Sequence, residues 1–177
     1  MRTNHIKVNE RKYIIWQNRA VQFYLAARLL YSKRIFGPAA YCATQALENL
    51  LKGTLLYWDR RFTPEVGGHK FRAMINAAHN KVPDGKGIVI PEYFFADKRY
   101  QSVSRYPTPG KGVGIVMTFR DDLDRSFVEL IKKVPFQFNS NLVSIVGGKN
   151  RTAFLILRSR NKQTRMLRTF LKPWLPA

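Results

Sequence analysis

The chain contains one cysteine and three histidines. Cys42 has no partner for an internal disulfide, so an oxidising compartment is not required, and its place in a helical pattern suits a small buried apolar side chain. His5, His69 and His79 with that single cysteine offer no zinc-ligand spacing, and there is no G-x-S-x-G elbow or paired-carboxylate motif. Only 11 residues are acidic, against 31 Lys and Arg, which makes the chain a poor candidate for a metal hydrolase; no metal and no cofactor is expected. Long hydrophobic runs are missing too. The segment MRTNHIKVNERKYIIW lacks the continuous apolar stretch of a signal peptide, and no run approaches the roughly 18 apolar residues of a membrane span. The expectation is a soluble, cytoplasmic protein with no membrane span. No internal repeat is visible.

What is present is a globular composition under a strong positive field. Hydrophobic residues make up 45% of the 177 positions and aromatics 13%, enough for one domain with one core rather than a disordered chain. The formal charge of +20 must be neutralised by something polyanionic or be solvated against its own repulsion. Nucleic acid is the first partner to consider, an acidic protein the second and an anionic membrane surface the third.

Periodicity makes the chain mainly α. Residues 10–35 form a first helix with Tyr13, Trp16, Ala20, Tyr24, Ala27 and Tyr31 on one stripe, and Arg11, Arg19, Arg28 and Lys33 largely off it. Gly37–Pro38 breaks that helix, and a second runs from about 38 to 58, with Pro38 at its first position. Here Ala43, Leu47, Leu50, Leu51 and Leu55 share a face, and Glu48 and Lys52 form an i,i+4 pair beside it. Gly53, costing about 1 kcal/mol relative to Ala in a helix, points to close approach by another helix. A third helix covers about 69–80, with Phe71, Met74, Ile75 and Ala78 inward. A fourth starts at Pro91 and continues to about Ser102, and a last one spans about 119–134 with Leu123, Phe127, Leu130 and Ile131 inward. The sum is an antiparallel bundle of about five helices.

The C-terminal part differs. From Ser140 onward there is no Asp or Glu. The runs LVSIV (142–146) and AFLIL (153–157), separated by Gly147–Gly148–Lys149–Asn150, read as a small hairpin. A basic helix follows at about 160–172, in which Met166, Leu167, Phe170 and Leu171, with Trp174 beyond, argue for docking rather than a solvated tail.

The residues Tyr41, Ala43, Gln45, Ala46, Leu47, Glu48, Leu51, Lys52 and Leu55, then Gly68–His69, then Arg105–Tyr106–Pro107, resemble a HEPN domain. HEPN domains are helical bundles associated with nucleotides and nucleic acids in prokaryotic defence and toxin–antitoxin systems. The resemblance covers roughly residues 12–135. It divides the chain into a HEPN-like bundle at 10–135 and a basic C-terminal extension at 136–177. It also implies a homodimer, with RNA ahead of DNA as the bound species and an acidic antitoxin as a candidate protein partner.

HEPN ribonucleases carry an Arg, four to six intervening residues and a His. Arg72 and His79 satisfy that spacing as catalytic candidates. With 17 arginines in the chain, about one such match arises by accident, and it falls on an earlier helix than the family's motif; the later helix carries Arg99 and Arg105 but no His. His69 either caps backbone N–H groups or packs against Glu48. Lys52, His69, Arg99 and Arg105 make an anion site if they share a cleft, since a guanidinium offers phosphate two hydrogen bonds at once. Tyr100 and Tyr106 beside those arginines either stack bases or pack in the core. Gly110–Lys111–Gly112 lacks P-loop spacing and reads as a flexible turn. Arg158, Arg160, Lys162, Arg165 and Arg168 complete the candidate nucleic-acid contacts. Three functions follow: a degenerate HEPN-like binder of RNA or nucleotide, a metal-independent endoribonuclease toxin, or a module that binds an acidic protein.

Overall fold

Helix α1 spans Thr3–Ser32 and α2 spans Phe36–Trp58 in the computed structural model. The structure describes residues 3–59, 61–64, 70–95, 117–134 and 140–172, with side chains from 13 onward except 140 and 141. The turn between α1 and α2 closes earlier than Gly37–Pro38. Arg34 takes a left-handed φ of 62°, the Arg34 amide donates to the Tyr31 carbonyl and the Ile35 amide reaches back to Leu30 at 2.9 Å. This is a Schellman-type stop with an arginine where glycine is usual. Pro38 is therefore the third residue of α2, still inside the first turn, where no intrahelical N–H bond is lost.

Helix α2 is the centre of the bundle. Its apolar stripe is where periodicity places it, but burial extends all round the segment from Ala46 to Leu56, taking in Glu48, Asn49 and Lys52. A helix covered on every side needs neighbours on every side. They are α1, α3 (Phe71–Lys81) and α4 (Phe119–Lys132). Gly53 meets the expected close approach: an added Cβ would lie 3.1 Å from the Tyr13 ring and 3.2 Å from Trp16 Cβ. Of the α1 stripe, Tyr13, Ala20, Tyr24 and Ala27 are buried. Arg28, assigned by the periodicity to the outer side, is only 4% exposed. The Tyr24 ring stacks on Phe127 of α4 at 3.9 Å, and Tyr31 stacks on Phe119 at 5.5 Å.

Phe71, Met74, Ile75 and Ala78 of α3 and Leu123, Phe127, Leu130 and Ile131 of α4 all point inward, as expected. The segment after α3 is shorter in its helices than expected. It makes two 3-10 turns, Gly85–Gly87 and Glu92–Phe94. Phe95 leaves the helical φ range at −136°, and the Phe94 carbonyl accepts from the Thr44 hydroxyl at 2.9 Å, so the chain is drawn onto α2 instead of continuing as a helix from Pro91. The rest of that expected helix, 96–102, lies outside the described residues.

No hairpin forms among the described C-terminal residues. LVSIV belongs to α5 (Ser140–Val146) and AFLIL to α6 (Arg151–Arg158); α7 covers Thr164–Leu171. Leu142, Ile145 and Val146, then Ala153 and Leu157, are the buried positions, a helical three-and-four spacing that a five-residue run barely displays. Asn150 fixes the start of α6: its Oδ1 accepts from the Ala153 amide at 3.0 Å, an N-cap. Gly148, at φ +79°, makes the left-handed turn that ends α5. The buried residues of α5, α6 and α7 join the same core cluster as those of α1 to α4, so the described C-terminal segment docks. No helix among the described residues is long and apolar enough to cross a membrane.

Candidate functional site

The C-terminal helices are fastened by a buried polar network. The Arg28 guanidinium donates to both oxygens of Asp124 and to the Ser159 carbonyl, and its Nε reaches the Ile156 carbonyl at 3.1 Å. The Tyr24 hydroxyl donates to Asp124 at 2.6 Å and accepts from Asn161 Nδ2 at 3.0 Å. Asn161 also takes the Gln163 amide at 2.8 Å, shaping the turn from α6 into α7. Burial pushes the Asp124 carboxyl above its usual range, against the pull of the Arg28 charge and the Tyr24 donor. Burial likewise raises the Tyr24 hydroxyl, so it stays a donor.

On the outer side of that turn lies an open groove of about 550 Å³. Arg158 comes from the end of α6, Lys162 from the turn, and Arg165 and Arg168 from α7. Their placement follows from α7 being amphipathic: Leu167 and Leu171 face the core, and the basic positions three residues apart share the opposite side. Phe154 supplies an aromatic wall, Asn161 and two threonines supply polar groups, and no carboxylate lines the groove. Of these cations Lys162 alone has an acidic partner among the described residues, Asp121 Oδ2 at 2.7 Å, and that ammonium holds the Asp121 carboxyl below its ordinary range. A second hollow, of about 510 Å³ adjoining it along α7, shares Lys162, Arg165 and Thr169 and adds Lys132, Met166 and Phe170. Four cations beside an aromatic ring can hold a polyanion by its phosphates and offer one face to a base.

Of the residues singled out from the sequence, the structure gathers Arg158, Lys162, Arg165 and Arg168 in this groove, while Arg160, at a left-handed φ of 49°, does not line it. Lys52 lies elsewhere, 7% exposed in the α1–α2 interface. It donates to Glu48 at 2.7 Å, and its ammonium sits 5.3 Å from the centre of the Trp16 ring. Arg72 and His79 are seven residues apart on one face of α3, a separation of about 10 Å along the axis. Each is engaged by the following segment: Arg72 pairs with Glu92, and His79 Nε2 is 3.0 Å from the Ile88 carbonyl. His69, Arg99, Tyr100, Arg105, Tyr106 and the 110–112 glycine turn lie outside the described residues.

Sequence reasoning missed Phe154, which a strand would have aimed differently, and it missed the Arg28–Asp124–Asn161 network. Two local signals were available: Asn150 three residues before Ala153 marks a helix start, and Arg28 follows Tyr24 by four, on the buried side. No group of three or more potential metal ligands occurs among the described residues. The chain matches no family model, no curated protein and no solved structure.

Proposed function

We propose that this chain binds nucleic acid, holding a single strand by its phosphates in the α6–α7 groove. The observation that carries the reading is the convergence of Arg158, Lys162, Arg165 and Arg168 on one hollow that contains Phe154 and no carboxylate. Three of those cations have no acidic partner among the described residues, so they meet a phosphate without first breaking an ion pair. Arg is suited to the task because its planar fork makes two charge-assisted hydrogen bonds to one phosphate. A single strand is favoured over a duplex because its unstacked bases can reach the Phe154 face. The resemblance of the Gln45–Glu48–Lys52 helix to HEPN domains favours RNA over DNA.

The test is fluorescence anisotropy with labelled single-stranded RNA, single-stranded DNA and duplex over a range of KCl. Affinity falls log-linearly with salt, with a slope of about −0.7 per phosphate contact on single strands. Replacing Arg158, Arg165 and Arg168 with Gln flattens that slope by about 2. Salt-independent binding, or an unchanged slope in the triple variant, refutes the groove. Retention of an acidic protein in place of nucleic acid supports the interaction-module reading.

A further inference from the structure

A second cationic hollow lies on the opposite flank of α6. It measures about 300 Å³ and is enclosed by the end of α1, the start of α4 and the end of α6. Three cations border it, Arg28, Lys33 and Arg120, and no carboxylate does. Arg28 is already neutralised by Asp124. That leaves two charges.

Neither of those two makes a side-chain hydrogen bond to a carboxylate among the described residues. Lys33 is exposed and has no acidic partner among the described residues. Arg120 lies with its guanidinium 5.9 Å from the centre of the Tyr31 ring. Its Nε is buried and makes no hydrogen bond among the described residues, which is uncommon for a charged donor. The nearest carboxylate oxygen, Asp121 Oδ1, is 3.9 Å away, beyond hydrogen-bond reach, and the other oxygen of Asp121 is held by Lys162. The rest of the guanidinium makes no hydrogen bond among the described residues either, and the side chain, 27% exposed, borders the open hollow, where an outside acceptor can meet its terminal N–H groups.

We propose that this hollow binds a phosphate monoester, with Arg120 as the hydrogen-bonding cation and Lys33 as the second charge. A monoester is nearly dianionic at neutral pH and presents three acceptor oxygens, matching one cation without an acidic partner among the described residues and one whose only ion pair is long and makes no hydrogen bond. The volume stands at the lower end of small-ligand pockets, room for a phosphate and a small attached group. Leu29 and Leu155, 42% and 55% exposed at the rim, give that group an apolar wall. A mononucleotide and the phosphorylated end of a strand both carry this chemistry. The inference stands without the α6–α7 groove, since the two hollows have no cation in common.

Titration calorimetry of the full chain with inorganic phosphate, at constant ionic strength, tests it. Saturable one-to-one binding is expected, weakened about tenfold or more in Arg120→Gln and in Lys33→Gln, the loss due to one charge-assisted contact. Arg165→Gln serves as control and leaves phosphate binding within about twofold, because additive effects are expected only at sites sharing no partner. Lys33 is exposed, so its variant remains informative if Arg120→Gln folds poorly. Binding also strengthens as pH rises through the second ionisation of inorganic phosphate, near neutral pH, where the ligand becomes dianionic. Non-saturable binding, equal displacement by chloride, or weakening in Arg165→Gln without weakening in Arg120→Gln or Lys33→Gln overturns the site. Competition by adenosine 5′-monophosphate and by short oligonucleotides with and without a 5′ phosphate identifies the source. Stronger competition by the mononucleotide supports a free nucleotide, and competition confined to 5′-phosphorylated strands supports a strand end. If RNA binding fails while phosphate binding survives, the groove is wrong and this hollow stands.

Discussion

Arg28 and Arg165 are the same side chain in opposite circumstances. Arg28 is enclosed by α1, α4 and the α6–α7 turn, and its guanidinium donates to one carboxylate and two backbone carbonyls. Arg165 stands exposed on α7 beside other cations, with no carboxylate partner among the described residues. A chain with 11 acids for 31 bases cannot pair all its cations, and where it does pair them is instructive. Asp124 and Glu48 serve the two cations buried among the described residues, Arg28 and Lys52. Burying an unpaired charge is far more costly than exposing one, so each cation buried among the described residues has its own carboxylate, while the other acids stay at the surface and pair only some of its cations. The surplus charge is left on the surface, where a polyanion can reach it.

The sharpest way to break this contrast is Asp124→Asn, which strands Arg28. We expect a loss of about 3–5 kcal/mol by denaturant unfolding, the range for breaking a buried pair from one side. A loss below 1 kcal/mol would mean that the carbonyls of Ile156 and Ser159 suffice. Asn161→Ala comes next: removing the bond to Tyr24 and the cap on Gln163 costs about 1–3 kcal/mol and weakens RNA binding as well, because the turn that aligns Arg158 with Arg165 loosens. The double variant Glu48→Leu, Lys52→Met removes a buried pair as a unit and stays within about 1.5 kcal/mol of the native chain, since similar-volume apolar replacements are tolerated. Lys52→Met alone, leaving Glu48 behind, is worse than the double. Arg165→Gln changes stability by less than about 0.5 kcal/mol while lowering RNA affinity, which separates the surface class from the buried one. The smallest effect is acidic. Lys162 depresses the folded Asp121 carboxyl, so the stability from that contact is complete above the unfolded value of about 3.9 and fades as pH falls through the lower folded value. In Lys162→Gln that part of the acid limb of a Tm-versus-pH curve disappears.

The same contrast explains what could be read from the sequence. Long amphipathic segments announce themselves: α2 and α4 have enough turns for the three-and-four spacing to stand out, and Gly53 marks a close approach that any bulkier residue would crowd. The runs at 142–146 and 153–157 are too short to separate a period of two from one of 3.6, and their aliphatic content favoured strands until the Asn150 cap and packing decided otherwise. The basic groove was legible as charge, because charge needs no fold to be counted, but its shape was not. Phe154 joins Arg158 and Arg165 only because α6 is a helix in one particular register. The Arg28–Asp124 pair was invisible for a different reason: partners 96 positions apart leave no local pattern.

That separation also sets the order in which the protein can be completed. Tyr24 waits for Asn161, 137 residues later, and Arg28 for the Ser159 carbonyl, 131 residues later. As synthesis proceeds from the N-terminus, α1 and α2 can pair early, yet a cation and a phenol on α1 stay without their final partners until nearly the whole described chain has emerged. Such distant closures slow folding relative to a helical protein built from neighbouring contacts. The nascent bundle therefore passes through a stage in which Arg28 must remain solvated, until the late-made turn between α6 and α7 seals it.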